Sequence, residues 1–259
     1  MNYTTEYWLN ISSANLVVKD EFQYFHNHAK EILNYNNGIL LIFKEALANN
    51  ISIKTQIRKK GGDSVLGIGA STLNKEIRMI LRDKFDSLKF EVNEQNGVYY
   101  FSSDKEKQQI AGFDFALLNS KNNLIKLRNL CFGELKYSDG RKRWNRFLSY
   151  NPNLKEFSDE ILHPERFGEN IPQISSDEPL VLGEIQFGNW ALVYRDFFKL
   201  LKANVQTSVD CLIYVVPAGN LESMLSDGIV TYDKTVKLLK DFSKVINVPV
   251  WVLGLDIKV

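Results

Sequence analysis

Histidine and cysteine are scarce in this chain, with three of the first and two of the second among 259 residues. Cys131 and Cys211 are too few for a disulfide framework, and no Cys/His cluster with zinc-site spacing exists. Reduced, buried thiols are the expectation. Phosphate-binding fingerprints are lacking too: neither the Walker spacing nor the dinucleotide pattern occurs, so no nucleotide cofactor is expected. No apolar run approaches membrane-spanning length, and residues 1–15 lack the basic start and apolar centre of a signal peptide. A cytoplasmic protein with no membrane partner follows as the expectation. Nor is there an excess of charge of one sign. Lys plus Arg number 32 against 31 Asp plus Glu, a net charge of +1, which excludes a uniformly basic nucleic-acid binder and leaves room for local basic patches. What remains is an ordinary globular composition, 44% hydrophobic and 24% charged, long enough for one large domain with a sizeable core.

The most informative stretch is residues 180–187, Leu-Val-Leu-Gly-Glu-Ile-Gln-Phe, followed at once by Gly188-Asn189-Trp190. A run this apolar reads as a strand buried on both faces, where an acid needs a reason to be. Side chains alternate along a strand, so Glu184 and Gln186 point the same way with Cα atoms about 6.6 Å apart. The Gly-Asn-Trp turn breaks the strand where a cleft would open. Residues 110–118 form a second apolar strand with one acid, Asp114. Two anomalies of one kind suggest one site. With no histidine or cysteine nearby, two carboxylates suit a hard divalent cation such as Mg2+, and such a site is suited to phosphodiester hydrolysis. The amide of Gln186 stands where it would orient the attacking water.

Elsewhere the pattern is mostly architectural. Residues 1–28 read as a weakly helical arm or edge element with solvated histidines, and 29–49 as a helix interrupted at Asn36-Asn37-Gly38. Residues 51–57 alternate as a half-buried strand with a basic outer face carrying Lys54 and Arg58. The glycine-rich run after it, with Lys59 and Lys60, suits either a contact to nucleic-acid backbone or a solvated loop. Ser71 or Thr72 is expected to cap a helix with Leu73, Ile77, Ile80 and Leu81 inward. Glu76 lies at the edge of that stripe and suits either a cleft-facing catalytic position or a solvent pairing with Lys75 or Arg78. A hairpin is expected over 90–101 and another strand over 131–137. Arg141, Lys142, Arg143 and Arg146, interleaved with Trp144 and Phe147, fit either DNA contact or the solvated face of an amphipathic helix. Residues 151–178 read as an acidic surface excursion. Strand, helix, strand, helix, strand over the last eighty residues is the alternation of an α/β layer.

The ordered company of these elements carries a resemblance. Leu-Val-Leu-Gly-Glu184-Ile-Gln186-Phe-Gly-Asn, the helix with Tyr194-Arg195-Asp196-Phe197-Phe198, the strand ending at Val216, the helix around Tyr232 and Val248-Pro249-Val250-Trp251-Val252-Leu253-Gly254-Leu255 together resemble the type II restriction endonucleases of the BglII and BstYI kind. Those are a branch of the PD-(D/E)XK nucleases with glutamine in place of the terminal lysine. The resemblance covers residues 178–256. It implies an α/β fold, a mixed central sheet flanked by helices, with a restriction-endonuclease-like core. Residues 1–259 would form one domain, with 29–118 and 178–259 as core and 119–177 as a long insertion contacting DNA. It further implies a homodimer around double-stranded DNA that cuts a specific site with Mg2+, in a restriction–modification system. Carried over, Glu184 is a metal ligand, Gln186 stands at the water-orienting position and Asn189 lies on the DNA side. Asp114 is preferred as the first acid and metal ligand over Asp177, which sits in a polar turn. Glu134-Leu135-Lys136, with Asp114, makes a rival Asp…Glu-X-Lys pattern. The reading of a different class is a non-catalytic DNA-binding or scaffold protein on a nuclease-like fold.

Overall fold

A computed structural model describes residues 13–36, 38–52, 55–101 and 112–258. Lys54, and the charged stretch before the Asp114 strand, lie outside the described residues, as does the side chain of Arg58. Eight strands form one mixed sheet. In chain order they are β1 (Ser13–His26), β2 (Asn50–Ser52), β5 (Lys89–Gln95), β6 (Val98–Tyr100), β7 (Phe113–Leu117), β8 (Val181–Ile185), β9 (Cys211–Pro217) and β10 (Val250–Lys258). Two more, β3 (Thr55–Lys60) and β4 (Asp63–Ile68), make a separate antiparallel hairpin. The large sheet runs β2-β1-β10-β9-β8-β7-β5-β6. Its centre, β8, β9 and β10, is parallel, and the strands on either side are antiparallel.

The parallel centre is buried on both faces, which is why its sequence reads as continuous apolar runs. Val181, Ile185, Ile213, Val215, Trp251 and Leu253 pack on one side against helices α1 (Ala29–Tyr35), α2 (Ile39–Leu47) and α3 (Ala70–Lys84). Leu182, Leu212, Tyr214, Val250 and Val252 pack on the other side against α7 (Leu192–Thr207) and α9 (Tyr232–Asp241). The helix expected to break at Asn36-Asn37-Gly38 does so, and Gly38 at φ +67 restarts it. The hairpin expected over 90–101 closes through Asn96 and Gly97, both at positive φ, the geometry that suits a two-residue turn between twisted strands.

Several expectations need correction. Residues 13–26 are a long strand rather than a helical arm. Four residues, 19–22, stand opposite Gly254 alone between the Val18–Leu255 and Gln23–Leu253 pairs, and this bulge breaks the period that would have marked the strand. His26 is accordingly buried, its Nε2 2.7 Å from the Ile246 carbonyl oxygen. The alternation over 51–57 is split: Ile51 belongs to the edge of the large sheet, while Ile57, 74% exposed, belongs to the β3–β4 hairpin. The α3 helix starts on Gly69 with no side-chain cap from Ser71 or Thr72. Its inward stripe is as expected.

The strand expected over 131–137 does not form. Cys131 and Phe132 close helix α4 (Ser120–Phe132), on the same face as Leu124 and Leu127, so their apolar character has a helical period. Glu134, Leu135 and Lys136 follow in an exposed loop, off the sheet. Between β7 and β8 in the chain, helix α4 packs with α5 (Gly140–Tyr150) and α6 (Lys155–Ile161) around a further core that also takes in Val98 and Tyr100 of β6, with Trp144 and Phe147 turned inward. Arg128 is the buried anchor of this unit, its guanidinium donating to the carbonyl oxygens of Glu169 and Arg166, the latter at 2.9 Å. The short α8 (Gly219–Met224) follows β9.

Both cysteines are buried and free. Burial pushes the Cys131 thiol up to about 12 and raises that of Cys211 as well. Alkylation by iodoacetamide at pH 8 should therefore run at least about a hundred-fold slower in the folded protein than in urea, because the thiolate is the nucleophile. Mass spectrometry of the alkylated chain checks this; equal rates would contradict the packing around α4 and β9. Among the described residues no helix is long and apolar enough to cross a membrane.

Candidate active site

Glu184 lies on β8, every residue of which is buried, and its neighbours are set by register. Tyr214 of β9 pairs with it on one side. On the other, β7 pairs Phe115 with Gly183, so one further step places Asp114 opposite Glu184. Next along, β5 pairs Phe90 with Phe115 and Val92 with Phe113, which leaves Glu91 facing Asp114. Three carboxylates therefore stand at one level on three adjacent strands. Glu91 holds φ +53, a left-handed conformation that a glutamate inside a strand rarely adopts and that costs of order 1 kcal/mol.

Each acid has a basic or amide partner. Asp114 accepts from the Ile185 amide at 2.6 Å and from Arg78 of α3, and Arg78 also bridges to Glu91. Glu184, 4% exposed, accepts from the ammonium of Lys199 on α7. Burial first, then the nearby Asp114 carboxylate, pushes Glu184 well above the usual carboxylate range despite that ammonium. Burial likewise raises Asp114 against the opposing pull of Arg78 and the Ile185 N–H. The pair is thus poised to gain from added positive charge. Gln186 is committed at both ends: Nε2 donates to Asp196 at 3.0 Å, and Oε1 accepts from the Gly188 amide at 2.9 Å. Asp196, fully buried, also accepts from the Tyr214 hydroxyl at 3.0 Å and from Arg195 at 2.9 Å.

A groove of about 520 Å³ lies between α3 and the end of β8, lined by Ser71, Asn74, Lys75, Arg78, Arg82 and Gln186. Asn74 donates to the Ile185 carbonyl oxygen at 3.0 Å, tying helix to strand. Arg78, which lines the groove, holds Asp114, whose side chain is 16% exposed; Glu184 beside it is buried.

The structure brings Asp114, Glu184 and Gln186 together. Glu76 is half-buried and does not line the groove; the neighbouring turns of α3 supply Asn74, Lys75 and Arg78 instead. Asp177 is exposed in the loop before β8, whereas Asp114 lies on β7 opposite Glu184. Lys59 is exposed on the β3–β4 hairpin, and Lys60 donates to the Ser223 carbonyl oxygen. Arg141, Lys142 and Arg146 are exposed on α5, whereas Arg143 is half-buried, pairing with Asp139 and stacking on Tyr137 at 4.3 Å. Exposed Asn189 accepts from the Ala191 amide at 2.9 Å, at the turn into α7. Sequence reasoning missed Arg78, Glu91, Asp196 and Lys199. Asp196 was detectable by the same logic as Glu184, being an acid inside the stripe Val193, Phe197, Leu200. Among the described residues, no three of His, Cys, Asp and Glu converge as a ready-made metal cage.

No curated protein matches the chain. Solved structures that align with it include BglII complexed with a DNA 16-mer, at 14% identity over 90% of this chain and 75% of that one with a TM-score of 0.44, and free BglII, at 15% identity over 90% and 76% with a TM-score of 0.39. A family model described as restriction endonuclease BglII/BglIII matches residues 22–255. With nearly its whole length matched by that model, the chain belongs to the BglII/BglIII restriction endonuclease family.

Proposed function

We propose that the chain is a type II site-specific deoxyribonuclease, hydrolysing phosphodiester bonds in double-stranded DNA with Mg2+ as the homodimeric nuclease of a restriction–modification system. The observation that carries the reading is the juxtaposition of Asp114 and Glu184 on adjacent strands beside a groove walled by Asn74, Lys75, Arg78 and Arg82. Family membership supplies the reaction class. The donor set fits the metal: two carboxylates on adjacent strands, both disfavoured as anions by burial and Glu184 further so by the nearby Asp114, make a hard-oxygen site. Asp114 and Glu184 would hold the ion, with Arg78 and Lys199 sharing or yielding their hold on those oxygens. Bound there, magnesium would make water a better nucleophile and offset the charge gathering on the phosphoryl oxygens. Lys75, Arg78 and Arg82 neutralise the backbone phosphate that enters the groove, and the exposed bases of α5 and of the β3–β4 hairpin extend the same field along the duplex.

The test is direct. Unmethylated phage genomic DNA incubated with the purified chain should yield discrete fragments in magnesium and none in excess chelator. A smear, or no cutting in magnesium or manganese, would sink the reading. The neutralisation of both acids by Arg78 and Lys199 is what favours the scaffold alternative, a DNA-binding protein without catalysis. Binding without cleavage in every divalent ion would promote it.

A further inference from the structure

Phosphodiester hydrolysis gathers negative charge around a phosphorus that is already anionic, and a site earns rate by aiming fixed positive charge there. Strand β8 and the residue just past it contribute a carboxylate and an amide to this site but no cation, and the amide of Gln186 is committed to Asp196 and to the Gly188 amide. The ammonium comes from elsewhere. Lys199, only 12% exposed, reaches from α7 to Glu184 and donates to the Gly112 carbonyl oxygen at 2.8 Å. Its Nζ lies 4.5 Å from the centroid of the Phe113 ring and 3.7 Å from Asp196. An ammonium has three donors, and two are satisfied at short range; the third has only the distant Asp196 carboxylate. Asp196 and Lys199 sit three residues apart on one face of α7, so a single helix fixes both residues of the strand motif: Asp196 grips Gln186, and Lys199 grips Glu184.

We propose that Lys199 is a catalytic residue of this nuclease, its ammonium standing beside the attacking water and the scissile phosphate, while Asp196 and Gln186 are positioning residues that lock α7 onto β8. The inference rests on the nuclease reading above. In the step, the water oxygen forms a bond to phosphorus as one P–O ester bond breaks. The electron pair of that bond leaves on the ester oxygen, the proton lost by water passes to solvent, and the ester oxygen takes one from solvent. Lys199 stays protonated throughout and acts as a fixed charge. The opposing view makes it a counter-ion for a buried Glu184, to be displaced when magnesium arrives.

Lys199→Gln separates the two, because glutamine can still donate to Gly112 and Glu184 but carries no charge. Expected for Lys199→Gln is a single-turnover rate on unmethylated phage DNA, at saturating magnesium, about 10²- to 10³-fold below the parent. DNA affinity measured by gel shift in calcium should stay within about threefold, since Lys199 supplies one charge beside those of Lys75, Arg78 and Arg82 and of the exposed basic residues of α5. Lys199→Arg should recover much of the rate. Lys202→Met, removing a side chain 70% exposed, is the control that should cut at the parental rate. Should Lys199→Gln fail to fold, Lys199→Ala with added methylammonium carries the comparison: a rate that rises with methylammonium and not with tetramethylammonium supports the role, and no rise overturns it. A Lys199→Gln that cuts at the parental rate once magnesium saturates overturns the inference alone. A parent that cuts nothing overturns the nuclease reading and takes the inference with it.

Discussion

Glu184→Gln binds DNA and leaves it uncut: single-turnover cleavage in saturating magnesium falls by about a thousand-fold or more, the several kcal/mol that a correctly held divalent ion contributes to a charged transition state. Glutamine is the informative replacement. It keeps the shape of a side chain that is 4% exposed and can still accept from Lys199, so the loss reports charge rather than packing. Because burial and Asp114 already disfavour the ionised carboxyl, the neutral isostere should fold as well as the parent. Gel shift in calcium and a thermal melt accompany the rate measurement. A variant that cuts within tenfold of the parent would remove Glu184 from the active site.

Gly183→Ala carries the largest expected effect on stability. Phe115 of β7 is paired with Gly183, and its ring lies over the bare glycine, where an added methyl would overlap it. The ring has nowhere to retreat: it is fully buried and stacks on Phe43 with centroids 5.5 Å apart. Forcing a methyl into such a site costs about 3 kcal/mol, at the upper end of overpacking, which for a chain this long lowers the melting temperature by roughly 6–12 °C. Relief should come from the partner. Gly183→Ala combined with Phe115→Leu should be less destabilised than the sum of the two single variants, because the two residues share one space. Urea melts of the four proteins decide it; a Gly183→Ala variant within about 0.5 kcal/mol of the parent would contradict the pairing of β7 with β8.

How much of this was legible in the sequence depended on local regularity. The central strands read correctly because continuous apolar runs bounded by turns leave few alternatives, and Glu184 and Asp114 stood out as acids within such runs. The first strand was hidden by its bulge, which shifts residues 19–22 out of the period-two pattern. Cys131 and Phe132 misled because a short apolar run has no period of its own; the helix to which they belong is declared by Leu124 and Leu127, seven and four residues before Cys131. Arg78 and Lys199 were beyond local reading. A lysine on an amphipathic helix normally faces water, and only the three-dimensional approach of α7 to β8 turns Lys199 toward a carboxylate fifteen residues earlier.

The Asp114 and Glu184 strands are hydrogen-bonded neighbours, yet the chain between them runs through three helices packed around a core they share with β6. Sheet pairing has already brought the two ends of that excursion together, so its length is nearly free: each doubling of a loop costs only about 0.6 kcal/mol in closure entropy. The excursion behaves as a cassette. Lengthening a loop between its helices should therefore leave the paired strands, and the acids they carry, in register.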